Sequence, residues 1–287
     1  MFTRLILTDQ LPLTCSRKGT CCHGNQVLLN PWELASLAHQ LQIDAVEFRK
    51  MYCDFFGFRL RFDGAENSLG KKACLLYQSE MGCTVHEGRP LACRLFPLGR
   101  QIQQENITYI FEGSDFPCNN GCPEVNILPK LSVESYLKEQ KTAHFETAQD
   151  AYLEVAQSIA DIAFMLLLET GLAESNDTET LQEWLKLGKA SPQKLAEKIG
   201  IEWLDLLIIP ELIFEKNNPT AFIEKHLELF QHEAQIHIDS MNNLPQFRTG
   251  AIQFMAMALL VAKSVGANPE ELAELWIATA REYGAKG

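Results

Sequence analysis

From residue 131 onward, apolar positions recur at helical spacing with few interruptions. The pattern predicts helices over about 132–171, 178–188, 192–199, 201–216, 219–239, 248–265 and 269–283. Asn176-Asp177, Ser191-Pro192, Asn217-Asn218-Pro219, Leu244-Pro245 and Asn268-Pro269 punctuate them. Asn, Asp and Ser accept the first free N–H groups of a helix, and Pro fits its opening turn. The stripes Ile162, Met165, Leu166, Glu169 and Phe254, Met257, Ala258, Val261 read as core-facing.

The first 130 residues follow a different pattern. Gln26–Leu29 reads as a short strand. Asn30 then caps a helix over 31–42, with Pro31 at its first position and Leu34, Leu37, Ala38 and Leu41 on one face. Asp44 to Glu47 forms a capping box that opens a second helix through about Cys53. Arg59–Asp63 and Ile107–Phe111 alternate as strands do. Residues 64–100 are rich in Gly, Cys and Pro and read as loops and turns. The boundary falls near residue 130, after Pro129. The expected fold class is mainly α. A small irregular Cys-rich metal-binding domain with short strands spans 1–130, and an all-helical acidic domain spans 131–287.

Charge sharpens that division. The net charge is −12; residues 1–130 carry 13 basic and 13 acidic side chains, and residues 131–287 carry 12 and 24. An acidic surface repels phosphate backbones, so nucleic acid is not an expected partner. The longest apolar runs, Ile162–Leu168 and Phe254–Ala262, fall short of the roughly 20 residues of a membrane span. No membrane partner is expected, and the first residues read as no signal peptide. The expected location is cytoplasmic.

The cysteines divide the chain in the same way. All nine lie between Cys15 and Cys122. In a reducing compartment such a cluster favours metal over disulfides. The spacings are Cys15-x5-Cys21-Cys22, Cys74-x8-Cys83-x9-Cys93 and Cys118-x3-Cys122, each beside Gly or Pro that permits tight turns. Thiolates suit zinc and iron–sulfur clusters rather than magnesium or calcium. Cys53, on a predicted helix, reads as core packing. The other eight, Cys15, Cys21, Cys22, Cys74, Cys83, Cys93, Cys118 and Cys122, are the candidate metal ligands, two sets of the four that close a tetrahedral site. His23 and His86 are candidate replacements. Arg89 and Arg94 either offset the charge of a thiolate site or pair with Glu87 or Glu80.

Two blocks carry a resemblance. Cys15-Ser-Arg-Lys-Gly-Thr-Cys21-Cys22 precedes a Pro-Trp-Glu-Leu helix, and Gly82-Cys83-Thr-Val-His86-Glu-Gly-Arg89-Pro90-Leu-Ala-Cys93-Arg94-Leu-Phe-Pro97 follows Ala73-Cys74-Leu75. Together they resemble the YkgJ-type cysteine-cluster family, with its CxxCxxCC motif, over about residues 12–123. The resemblance implies a zinc- or iron-chelating domain. Lys18 stands where the family motif has its second cysteine, and His86 where it commonly has Tyr. The lost ligand would be made good by Cys118 or Cys122 ahead of His86 or His23. A lysine N-methylase acting on flagellin carries a similar cluster, so the resemblance also admits enzymatic chemistry.

No G-x-G-x-x-G or G-x-x-x-x-G-K-[ST] occurs. His232 and His237 are five apart, about 140° around a helix, and cannot share a metal as an i, i+4 pair does. They read as a solvated helix face rather than, with His226, a weak His-rich patch. The expected function is metal binding by thiolate sites for zinc or iron, iron–sulfur included. The metal is mainly structural, and the helical half is a surface for a protein partner. The alternative is a metalloenzyme with redox or protein-methylation chemistry.

Overall fold

The computed structural model describes residues 3–11, 19–54, 57–103, 106–111, 127, 129–173 and 178–286. In chain order the first elements are β1 (Thr3–Leu5), β2 (Gln10–Leu11), α1 (Pro31–Leu41), α2 (Ala45–Tyr52), β3 (Cys53–Asp54), β4 (Arg59–Leu60), β5 (Tyr77–Gln78), β6 (Gly82–Cys83), α3 (Leu91–Leu95), β7 (Leu98–Gln103), β8 (Asn106–Phe111), β9 (Leu131–Ser132) and α4 (Val133–Gln140). Among the described residues seven helices follow: α5 (Ala143–Glu169), α6 (Glu179–Gly188), α7 (Pro192–Ile199), α8 (Ile201–Ile208), α9 (Pro219–Asp239), α10 (Leu244–Ser264) and α11 (Pro269–Glu282). The protein is mainly α, with short strands early and helices late.

Two compact units result. The first holds the described residues through Glu146, apart from Leu28–Ala35 and the stretch ending at Phe58; the second holds those two stretches and Thr147 onward. In the first unit, β1, β8 and β7 form an antiparallel sheet in that order. Leu98 pairs with Phe111 and Arg100 with Tyr109. The β-rich sequence of β8 is legible as a strand. Leu-Gly-Arg-Gln-Ile-Gln of β7 is not; pairing with β8 imposes its conformation. Leu98, Tyr109 and Phe111 are buried on one face, and Tyr109 donates to Glu146 Oε1 at 2.9 Å.

The capping signals work as their chemistry requires. Asn30 Oδ1 accepts from the Glu33 N–H at 2.9 Å, and Glu33 Oε2 accepts from the Asn30 N–H at 3.2 Å, a reciprocal box that is itself buried. Asp44 accepts from the Glu47 N–H at 2.7 Å and opens α2. Gln26–Leu29 is not an assigned strand, although Val27 O accepts from Leu60 N–H and Leu29 N–H donates to Phe58 O. Arg59–Asp63 shortens to the two residues of β4, paired with Cys53 and Asp54.

In the second unit, Ser191, Asn218, Asn243 and Asn268 each accept a hydrogen bond from a first-turn N–H. The predicted helix 132–171 breaks in two, because Lys141 adopts a left-handed conformation at the end of α4. The predicted helix 201–216 ends at Ile208, before Pro210, as the clash of a proline with the preceding residue demands. α10 starts four residues earlier than predicted, with Pro245 inside its first turn. α10 is buried almost all round, from Gly250 through Ser264. Trp203, Phe230 and Phe254 gather at 5.5–6.2 Å, and the Trp184 indole donates to Ala251 O at 3.2 Å.

α5 is long and apolar enough, by length and composition, to cross a membrane, although its uninterrupted apolar run is short. Its face of Tyr152, Ala156, Ile159, Ala163 and Leu166 is buried within the protein. The predicted stripe is displaced, since Ile162 and Met165 are half-buried and Glu169 is exposed. His226 lies in this core. Its Nδ1 is 3.0 Å from the Tyr152 hydroxyl and its Nε2 is 2.9 Å from Leu206 O. Burial pushes its pKa down from 6.5 to about 4, against the pull of that carbonyl. His237 packs edge-on against Trp203 and Phe254, while His232 is exposed.

Candidate metal centre

Three short segments of the first unit carry the described candidate ligands. The first is a tight turn. Gly19 has φ +75°, a conformation side chains disfavour, and a Cβ there would lie 2.0 Å from the Tyr77 ring. The turn continues as a single 3₁₀ turn, Thr20–Cys22, closed by Cys22 N–H to Gly19 O at 2.9 Å. Cys21 and Cys22 leave it as hydrogen-bonded neighbours. Adjacent side chains ordinarily diverge; the 3₁₀ backbone keeps these two together. His23 Nδ1 also reaches Gly19 O at 2.9 Å, and its ring meets Tyr77 edge-on at 4.9 Å.

Backbone pairing brings the second segment alongside. Gly24 N–H donates to Lys72 O and Cys74 N–H to Cys22 O, both at 2.8 Å, and His23 bridges Ala73. Cys74 then leads into the β5–β6 hairpin, where Tyr77 faces Cys83. The Thr84 hydroxyl and N–H both donate to Leu76 O. The third segment is a 3₁₀ turn, His86–Gly88, followed by α3, which carries Cys93.

These thiols crowd one another electrostatically. Cys22 is pushed well above the ordinary thiol range by its hydrogen bond with Cys21, then by burial and by charge on Cys21, Cys93 and Cys83. Cys93 is raised by burial first, then by Cys21, Cys74 and Cys83, with Arg89 opposing. Cys74 rises to about 11, mainly by burial, with the Leu76 backbone N–H opposing and Cys83 adding to the rise. The structure therefore brings Cys21, Cys22, Cys74, Cys83 and Cys93 into one neighbourhood. Cys21, Cys22, Cys53, Cys74, Cys83 and Cys93 are not joined in disulfides. Cys15, Lys18, Cys118 and Cys122 lie outside the described residues.

The donor chemistry fits a thiophilic cation. A cation in place of the thiol protons offsets the burial and the mutual repulsion that together keep these groups protonated. Among the described residues, no group of three or more His, Cys, Asp or Glu is arranged to hold a metal ion. Cys53 sits at the end of α2 and the start of β3 rather than inside a helix. It is buried, and its thiol is raised by burial, then by Asp54 and Cys74. His86 Nδ1 is 3.6 Å from Glu87 Oε1. Glu87 in turn accepts from Lys141 at 3.0 Å, which is the first cause holding its carboxyl below the usual range.

The two arginines bind backbone and amide oxygens. Arg94, 3% exposed, donates to the carbonyls of Arg89 and Gln140, each at 2.7 Å, and of Glu87. Its guanidinium stacks 4.0 Å from the Phe145 ring centre. Arg89 donates to His86 O at 3.0 Å and to Gln140 Oε1 at 2.9 Å. A helix C-terminus offers carbonyls without intrahelical partners, and α4 presents the Gln140 carbonyl to Arg94. Tyr136, also on α4, donates to Phe96 O. Sequence reasoning missed these α4 anchors, because no local spacing links Arg89 to a glutamine 51 residues later.

Residues 14–111 match the family model CxxCxxCC, described as "Putative zinc- or iron-chelating domain". This segment is similar to that family. The match leaves out most of the helical unit. An uncharacterized protein of Methanocaldococcus jannaschii is 30% identical over 98 residues, which is 34% of this chain and 51% of that protein. The chain thus spans about half the length of this curated relative. No solved structure matches the chain.

Proposed function

We propose that the first unit binds zinc or iron through cysteine thiolates and that the metal is chiefly structural. The carrying observation is the neighbourhood of Cys21, Cys22, Cys74, Cys83 and Cys93, thiols outside any disulfide and delivered by three separate segments. The similarity to a zinc- or iron-chelating family supports it. Cys15, Cys118 and Cys122 are the further ligands of this reading, and Cys53 stays a packing residue. Zinc or ferrous ion, when bound, supplies a cross-link among segments that share few long strands. The chain's own backbone supplies the approach: the Gly19 turn and the hydrogen bond from Cys74 N–H to Cys22 O align two of the segments. Binding would draw the sulfurs to a common focus. In this reading the acidic helical unit is a surface for a protein partner.

The test is anaerobic purification followed by elemental analysis and an absorption spectrum. Zinc in a colourless protein, or iron in a coloured one, is the expected result. Protein free of both after purification and after reconstitution with either ion would overturn the reading.

A further inference from the structure

The opening turn of α1 belongs to the second unit, within the stretch Leu28–Ala35. Asn30, Trp32 and Glu33 of that stretch are buried, and so are Tyr152 on α5 and His226 on α9. The Trp32 indole donates to Glu215 O at 3.4 Å, and its ring packs 5.8 Å from that of Phe214. A chain of hydrogen bonds ties the same turn to three helices. Leu206 O on α8 can only accept, so His226 Nε2, 2.9 Å away, carries the hydrogen. A neutral ring then has its lone pair at Nδ1, and the Tyr152 hydroxyl, 3.0 Å away, donates to it. The Tyr152 oxygen in turn accepts from the Trp32 backbone N–H. Pro31 has no N–H and Asn30 accepts from Glu33, so the Tyr152 oxygen completes the capping of α1. Every bond in the chain points the same way, and it does so only while the imidazole is neutral.

We propose that Tyr152 and His226 form a proton-sensitive latch, which holds the opening turn of α1 in the helical unit and releases it when His226 is protonated. An imidazolium carries a hydrogen on both nitrogens. Its Nδ1–H would face the Tyr152 oxygen, turn the hydroxyl hydrogen out of the chain and leave a charge in an apolar core. The titratable groups set against the ring are Tyr152 from α5 and, beyond it, Glu33 from α1, whose carboxylate joins burial in keeping the Tyr152 hydroxyl protonated. α8 offers a carbonyl alone to Nε2. Glu215 and Lys225 are exposed and pair with each other at 3.2 Å. Burial keeps the packed ring neutral down to about 4, whereas a ring opened to water protonates near 6.5. The closed latch is therefore fully supported above pH 6.5 and loses that support as the pH falls toward 4. Each opening takes up one proton, so opening rises about tenfold per pH unit across that window.

The experiment is hydrogen exchange of the full chain between pH 7 and pH 4, each rate divided by the intrinsic rate at that pH, read on the amides of residues 32–35 and 254–262. The first set should lose protection about tenfold per pH unit below 6.5 while the α10 set stays better protected throughout. His226→Gln can keep both hydrogen bonds without titrating, and the protection of residues 32–35 should then stay level. Tyr152→Phe removes the acceptor of the Trp32 N–H and should open the turn already at pH 7, with α10 still protected. Equal protection of the two sets at every pH would overturn the proposal, since the turn would open only with the whole unit. An unchanged pH slope in His226→Gln would overturn it as well. Where His226→Gln does not fold, native protection of residues 32–35 in Tyr152→Phe overturns it.

Discussion

Each of the two units has its own means of internal cohesion. The second is built on long helices, and α10 alone buries Phe254, Met255, Met257, Leu259, Leu260 and Val261. The first has strands of two or three residues around its cysteines and spends hydrogen bonds on turns. It has a core, with Leu11, Phe48, Leu76, Val85, Tyr136 and others buried. Between Gly64 and Arg100, however, the buried apolar positions are few and irregularly spaced. An apolar helix core is stabilised wherever it packs; a set of crowded thiols is stabilised by a cation. The comparison therefore predicts that the units respond to different insults.

Metal removal gives the largest expected effect. Thiolate–metal binding energy is folding energy in a small site, on the order of 10 kcal/mol for structural zinc. Limited proteolysis after chelation should cut within residues 64–100 and leave the helices from Glu179 to Glu282 protected. Cysteine loops as protected after chelation as before would erase the contrast. Phe254→Ala is the converse insult. Phe254 is fully buried between Trp203 and Phe230, and its loss should cost about 3–5 kcal/mol. Denaturant unfolding should show that loss while the metal content stays unchanged.

The next effect is in pH. The folded state holds His226 neutral down to about 4, whereas the unfolded imidazole takes up its proton near 6.5. Stability from this residue is complete above pH 6.5 and drains away as pH falls toward 4. A drop from 6.5 to about 4 corresponds to on the order of 3 kcal/mol. Unfolding of His226→Gln followed from pH 7 to pH 4 should lose that slope. A slope equal to the native one would remove His226 from the account. The smallest effect is Gly19→Ala, which forces a side chain into positive φ and against Tyr77. It should cost about 1–3 kcal/mol and weaken metal binding by distorting the turn that presents Cys21 and Cys22.

The helical half was legible because Ser191, Asn218, Asn243 and Asn268 announce helix starts through local chemistry that tertiary packing did not override. Lys141 and β7 were not legible. A left-handed lysine and a Gly- and Gln-containing strand are imposed by neighbours, not by their own preferences. At the candidate site, spacing picked out the cysteines but not their supports. Tyr77 over Gly19, and Gln140 under Arg89, come from segments with no local sequence signal. For Arg89 and Arg94 the sequence offered a thiolate site or Glu87 and Glu80 as partners; the hydrogen bonds seen include backbone carbonyls and the Gln140 amide, which no spacing suggested.

The central claim is that thiols from separate segments share a metal, while Cys53 does not take part. The most direct test compares the zinc and iron content of Cys83→Ser and Cys53→Ser with that of the native chain, each purified anaerobically. The account predicts that Cys83→Ser loses most of its metal and that Cys53→Ser retains the native amount. Equal metal in Cys83→Ser and the native chain, or equal loss in both variants, would contradict it.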